Sequence, residues 1–142
     1  MANPSILVDS SIWIEGLNPQ APHAIQQRLK ALTEANRVVI TEMIRLEVIA
    51  GARTLDEFKD FRADFGALRC LGTTSQEWWR AEELSFVLGR KGLRVPPADI
   101  LIAAVAMSHE VPLWHADKDF ERIKQVAPDF ESYWHPQKMP EI

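Results

Sequence analysis

Four acidic residues, scattered along a chain of 142 residues, stand where an acid gains little from the fold alone: Asp9, Glu47, Asp99 and Asp117. Asp9 directly follows the apolar run Ser5-Ile6-Leu7-Val8 and precedes Ser10-Ser11. It could cap the next helix, although either serine could do so in its place. Glu47 lies within Met43-Ile44-Arg45-Leu46-Glu47-Val48-Ile49-Ala50, and helical spacing puts it on one stripe with Met43, Ile44, Ala50 and Gly51. A carboxylate on a core-facing stripe is costly unless a cation or metal answers it. The competing reading is a buried salt bridge to Arg45 or Arg53. Asp99 falls in the first turn of a helix opened by Pro97, on a stripe with Ile102, Ala103 and Ala106. The helix dipole favours an acid there, but an outward-facing acid would serve it equally. Asp117 and Asp119 follow the apolar run ending at His115, and one of them must cap the next helix. Asp119 is assigned to the cap, which leaves Asp117 for the site.

Several carboxylates sharing one pocket repel one another strongly when ionised. Hard divalent cations with oxygen ligands relieve this, and Mg²⁺ or Mn²⁺ fits best. Such an ion activates water and stabilises charge on a phosphoryl oxygen. Two ions roughly 3.5–4 Å apart would clamp both the attacking and the leaving oxygen. The chemistry that such a set suits is in-line displacement at a phosphoryl group.

The elements that must position these acids are short buried strands alternating with helices. Strands are expected at 5–8, 38–40, 68–71 and 111–115, with a further one at 130–134. Helices are expected at 12–16, from Pro22 to Asn36, 42–51 (capped by Thr41), 55–66, 74/75–88, 98–109 and 119–126. Apolar strands alternating with helices argue for an α/β fold, a mostly parallel sheet covered on both faces. Ligands of such folds bind beyond the carboxyl ends of the strands, where strand order reverses. Three of the acids lie just past a strand or in the first turn of a helix, and the fourth lies on an inward helix stripe. A parallel sheet would gather them at one edge. The chain reads as one domain over residues 1–135 with an irregular tail from 136 to 142.

A formal net charge of −4 argues against bulk coating of nucleic acid. It does not oppose a nuclease whose bound cations cancel local charge, and it leaves room for a basic partner. The lone Cys70 excludes an internal disulfide and a cysteine zinc site. With no signal-peptide pattern and no apolar run long enough to span a bilayer, a reducing cytoplasm is expected and no membrane association. The four histidines, His23, His109, His115 and His135, lack zinc-binding spacing. No P-loop and no Gly-x-Gly-x-x-Gly is present.

Taken together, Val8-Asp9-Ser10-Ser11-Ile12-Trp13, Ile40-Thr41-Glu42 with Glu47-Val48 and Gly51, Pro96-Pro97-Ala98-Asp99 with Ile102-Ala103-Ala104, and Asp117-Lys118-Asp119-Phe120 resemble a PIN domain. The likeness is to the VapC-type toxins of toxin–antitoxin pairs and covers nearly the whole chain. Each motif alone is weak, and the four in order are fairly specific. The resemblance implies an α/β/α sandwich and a Mg²⁺- or Mn²⁺-dependent endoribonuclease acting on RNA. Asp9, Glu47, Asp99 and Asp117 would then be the metal-site acids, Ser11 a hydroxyl orienting Asp9 or a water, and Asp119 an accessory acid. It also implies a cognate VapB-like antitoxin, whose tail can place a basic side chain in the acidic pocket, and a homodimer. The early helices, Trp13 and the pair Trp78-Trp79 are candidate surfaces, with core packing as the alternative for Trp13.

One departure stands out. Many members carry Thr or Ser two residues before the fourth acid, and this chain has His115. It could hydrogen-bond as the hydroxyl does or approach phosphate; the competing reading is a strand-end histidine without a chemical role. The basic loop Leu88-Gly89-Arg90-Lys91-Gly92-Leu93-Arg94 could contact RNA phosphates through Arg90, Lys91 and Arg94, as could Arg45 and Arg53, or it could be a solvated turn. Two other functions compete. A non-catalytic PIN-like module that binds RNA or protein has no need of four mutually repelling acids. A phosphoacceptor signalling domain wants an acid pair after its first strand, where this chain has two serines.

Overall fold

The computed structural model describes residues 4–20 and 23–142. Its strands are β1 (Ile6–Val8), β2 (Val38–Thr41), β3 (Arg69–Leu71), β4 (Leu113–His115) and β5 (Ser132–Trp134). Its helices are α1 (Ser10–Leu17), α2 (His23–Glu34), α3 (Glu42–Ile49), α4 (Leu55–Gly66), α5 (Ser75–Arg90), α6 (Pro97–Ser108) and α7 (Lys118–Val126). Pro22, expected at the start of the second helix, lies outside the described residues.

The five strands form one sheet in the order β3-β2-β1-β4-β5, and every pairing is parallel. Leu7 occupies the centre, in register with Val39 on one side and Leu113 on the other. β1, β2 and β4 are buried throughout, as their unbroken apolar runs require of strands covered on both faces. Right-handed crossovers put the helices of the leftward connections, α1 to α4, on one face and those of the rightward connections, α5 to α7, on the other. Most helix contacts keep to that division: α1 meets α2 and α3, α3 meets α4, and α5, α6 and α7 meet one another, while α3 and α6 touch across it. The expected three-layer sandwich with a parallel sheet is the fold.

Helix α6 shows why the far layer holds. Residues Asp99 to Ala106 are all buried, so the helix is apolar around most of its circumference and fills the space between its neighbours. Truncating Ile102, which is fully covered, to alanine costs about 2–5 kcal/mol. Pro97 sits in the first turn, where a missing N–H costs nothing.

Two local expectations shift. α5 runs on through Gly89 to Arg90, because a glycine in a last turn weakens a helix without stopping it, and the stop comes at Gly92 with φ 71°. β4 begins at Leu113, because Pro112 has no N–H and the Val111 N–H is taken by the Ala106 carbonyl at the end of α6. Beyond β5 the chain has neither helix nor strand, yet it is tied down. The Arg37 guanidinium donates to the carbonyls of Pro4 (2.7 Å) and Glu141 (2.8 Å), and Arg28 donates to that of Pro140. Trp13 faces inward, edge-on to Phe65 with ring centroids 5.1 Å apart, and is therefore core and not a surface anchor. Trp78 and Trp79 are 52% and 61% exposed.

Candidate active site

The sheet order reverses between β1 and β4: from β1 the chain moves outward to β2 and β3, then returns to β4 beside β1 and leaves on the other side. Asp9 leaves the carboxyl end of β1, and Asp117 lies two residues past that of β4. The crevice predicted from topology is thus framed by two of the four acids.

Asp9 takes both roles open to it. It is the N-cap of α1, with Oδ2 accepting from the Ser11 N–H (3.1 Å) and the Ser11 hydroxyl (2.6 Å). Its Oδ1 is buried and has no hydrogen-bond partner. The Ser11 hydroxyl oxygen in turn accepts the Ala116 N–H at 3.0 Å, so one side chain fastens the loop after β4 to the end of β1. Ser10 donates to Oε1 of Glu47 at 3.3 Å, bringing α3 to the same crevice. Glu47 is half-buried and sits at the edge of the α3 core stripe, since Ala50 and Gly51 are exposed. It makes no ion pair among the described residues, which removes the salt bridge to Arg45 or Arg53.

The cap of α7 is Asp117 and not Asp119. Asp117 has extended backbone (φ −127°, ψ 124°) and its Oδ1 accepts the Asp119 N–H at 2.9 Å. Asp119 is already in the first turn, where it pairs with Arg122. Capping uses one oxygen of Asp117 and leaves the other for the site, so Asp117 remains in the cluster: carboxylate oxygens of Asp99, Asp117 and Asp119 all lie within 4.8 Å of one another.

The charges confirm one electrostatic unit. The Asp99 carboxyl is pushed up to about 7, first by burial and then by the charges of Asp117, Asp9, Glu47 and Asp119. Burial raises Glu47, with Asp9 and then Asp117 adding to it. Asp9 is raised by burial despite its bonds from Ser11. All these donors are hard carboxylate oxygens, and one of them, Asp9 Oδ1, is buried without a partner. This set suits Mg²⁺ or Mn²⁺.

His115 is fully buried on β4 and packs against Phe120, ring centroids 4.9 Å apart and planes tilted by 51°. Its Nδ1 accepts the Asp117 N–H at 3.2 Å, which leaves Nε2–H to donate to Glu121 at 2.9 Å. Glu121 also accepts from the Ser132 hydroxyl at 3.1 Å. Burial lowers the His115 pKa, so the ring is held neutral. Sequence reading did not single out Glu121 or Arg122, and it considered Ser10 only as a cap, not as the donor to Glu47. Glu121 becomes visible only once β4 and α7 are packed. Among the cations considered, Arg90, Lys91 and Arg94 are exposed on the α5–α6 turn, and Arg94 lines a cleft that ends at Asp119. Burial and Glu42 push the Cys70 thiol up, and Arg45 offsets that only in part.

A parallel sheet with an acidic crevice at its switch point defines a class shared with known proteins. The family model described as PIN domain matches residues 6–126. The chain belongs to the PIN-domain family, among its VapC-type toxin ribonucleases. It is 34% identical over 109 residues to Ribonuclease VapC21 of Mycobacterium tuberculosis, covering 73% of this chain and 78% of that protein. It is 25% identical over 124 residues to Ribonuclease VapC18 of the same species, covering 84% and 88%. Among solved structures it is similar in fold to DNA-bound VapBC from Salmonella typhimurium, with a TM-score of 0.75 at 24% identity over 92% of this chain and 97% of that one.

Proposed function

We propose that the chain is a divalent-cation-dependent endoribonuclease, the toxin of a toxin–antitoxin pair, with Asp9, Glu47, Asp99 and Asp117 as its cleavage centre. The observation that carries this is the convergence of carboxylates at the switch point: oxygens of Asp99, Asp117 and Asp119 lie within 4.8 Å of one another, Asp9 leaves the end of β1 with a buried, unpartnered Oδ1, and Ser10 ties Glu47 to the same crevice. A bound Mg²⁺ or Mn²⁺ supplies charge stabilisation at the phosphoryl oxygens and an acidified water. The chain's own groups hold and orient. Asp9, Asp99 and Asp117 present oxygens to the cation, and Glu47 faces them from α3. Ser11 fixes Asp9, and His115 fixes the backbone of Asp117. Asp99, whose carboxyl is raised by burial and by its acidic neighbours, would be held ionised by a bound cation. Asp119, tied to Arg122, borders the pocket as an accessory acid.

The relatives named VapC are ribonucleases, and the Salmonella neighbour is a VapBC complex. By the same reading this chain cleaves RNA and is restrained by a VapB-like antitoxin. A groove of about 530 Å³ formed by Ile14, Leu17, Val48 and Phe61, with Glu47 and Arg53 at its rim, offers an apolar track for an antitoxin tail leading to the acids. The exposed Trp78 and Trp79 suit a homodimer contact. No helix among the described residues is long and apolar enough to cross a membrane. The direct test is cleavage of purified RNA with Mg²⁺, with and without chelator, beside Asp9→Asn and Asp99→Asn. Loss of cutting in both variants and with chelator is expected. Variants that cut like the parent would overturn the assignment and favour a non-catalytic RNA- or protein-binding module.

A further inference from the structure

Beside the acid pocket lies a second concavity, a cleft of about 750 Å³ between α5 and the segment leading into α6. Its volume is that of a site for a small organic ligand. One wall is a stripe of α5 at i, i+3 and i+4: Ser85, Leu88 and Gly89. Leu93, Val95 and Ile100 make the rest apolar, and Arg94 supplies a cation. Asp119 closes one end, and its carboxylate is also part of the Asp99–Asp117–Asp119 cluster. The cleft and the acid cluster therefore share Asp119, and a ligand seated in the first lies beside the second.

Charge selects the occupant. Arg94 and the adjoining Arg90 and Lys91 are exposed and make no ion pair among the described residues. Arg94 on the lining, with Arg90 and Lys91 on the adjoining turn, favours an anionic ligand over a basic peptide, and the one acid of the lining, Asp119, is paired with Arg122. An apolar wall with one guanidinium suits the flat face of a base and the phosphate next to it. Gly89 keeps the wall low: a Cβ there would meet nothing within 4 Å, so the position can carry a side chain without disturbing the protein.

We propose that this cleft is the subsite for the nucleotide flanking the scissile phosphate of RNA, and that it sets which sequence is cut. The proposal rests on reading the acid pocket as the cleavage centre.

The test compares the parent with Gly89→Leu, which fills the cleft, and Arg94→Ala, which removes its cation. Cut sites are read by 5′-end sequencing of a randomised RNA pool, and KM and kcat are measured on the parent's preferred oligonucleotide. Thermal melting and Mn²⁺ titration check that fold and acid pocket are intact. The expected result is unchanged Mn²⁺ affinity and melting, with KM raised about tenfold or more, or base preference lost at one position beside the cut. Unchanged preference and KM in both variants overturn the proposal. If the parent cuts no RNA, the cleavage reading fails, and fluorescence anisotropy with labelled RNA decides the cleft separately: weaker binding by both variants supports an RNA subsite, and equal binding overturns it.

Discussion

His115 holds the backbone of Asp117 from behind: its Nδ1 accepts the Asp117 N–H at 3.2 Å while its Nε2–H is spent on Glu121 at 2.9 Å. The ring therefore has one tautomer, and the tautomer is dictated from α7. An acid at the edge of the pocket is aimed by a carboxylate that never enters it.

Replacing His115 by alanine should release the start of α7 and leave Glu121 facing a void. Cleavage and Mn²⁺ affinity are expected to fall by about 10–100-fold, the usual cost of losing a group that orients a metal ligand. Glu121→Gln, whose amide oxygen can still accept from Nε2–H, should retain most of both. RNA cleavage rates and calorimetric Mn²⁺ titration separate the two variants, and equal losses would contradict the dependence on tautomer.

Asp99 ties stability to pH. Its folded pKa is raised from 3.8 to about 7, so the unfolded chain loses this proton first. In metal-free protein this group therefore destabilises the fold progressively as pH rises from about 4 to about 7, and fully above that. Asp99→Asn removes the penalty. At about pH 8 without metal, the variant should melt roughly 10 °C higher than the parent, corresponding to up to about 4 kcal/mol for a shift of this size. The gap should close as pH is lowered toward 4, and saturating Mn²⁺ should reverse the order. Melting curves at several pH values, with and without Mn²⁺, check the sign.

The same proton must leave before the pocket takes a cation. Mn²⁺ affinity should rise with pH, by up to about tenfold per unit below about 7, and level off above it. In Asp99→Asn that rise should flatten and the plateau fall. Titrations in buffers of different ionisation enthalpy would count the proton released.

Ser11→Ala cuts the tie between β1 and β4. The Ala116 N–H loses its acceptor and Asp9 Oδ2 loses its shortest donor. A loss of about 1–3 kcal/mol is expected in urea denaturation, the cost of a hydrogen-bonded group left without its partner. Cleavage should fall further than stability, since Asp9 is then held by the Ser11 N–H alone.

Much of this was legible in the chain. The apolar runs at β1, β2 and β4 are buried on both faces, and a run of that kind has little other use. The four acids were readable because each breaks an apolar or capping pattern. What failed was local arbitration. Asp117 and Asp119 have the same chemistry, and only the extended backbone at Asp117 decides which one caps α7. Trp13 could not be assigned because its partner, Phe65, arrives from a helix far along the sequence. The ties from Arg37 and Arg28 to the tail were invisible for a related reason: they end on backbone carbonyls, which carry no residue signature.

Placing β4 against β1 has a consequence for the chain while it is being made. Leu7 and Leu113 are neighbours in the sheet but are separated by most of the sequence, and the pocket straddles that seam. Asp9 and Glu47 emerge from the ribosome early and wait for Asp99 and Asp117. A growing chain that has not yet threaded β4 beside β1 holds no complete set of acids. If those acids are the cleavage centre, the last strands to be made are the ones that complete it.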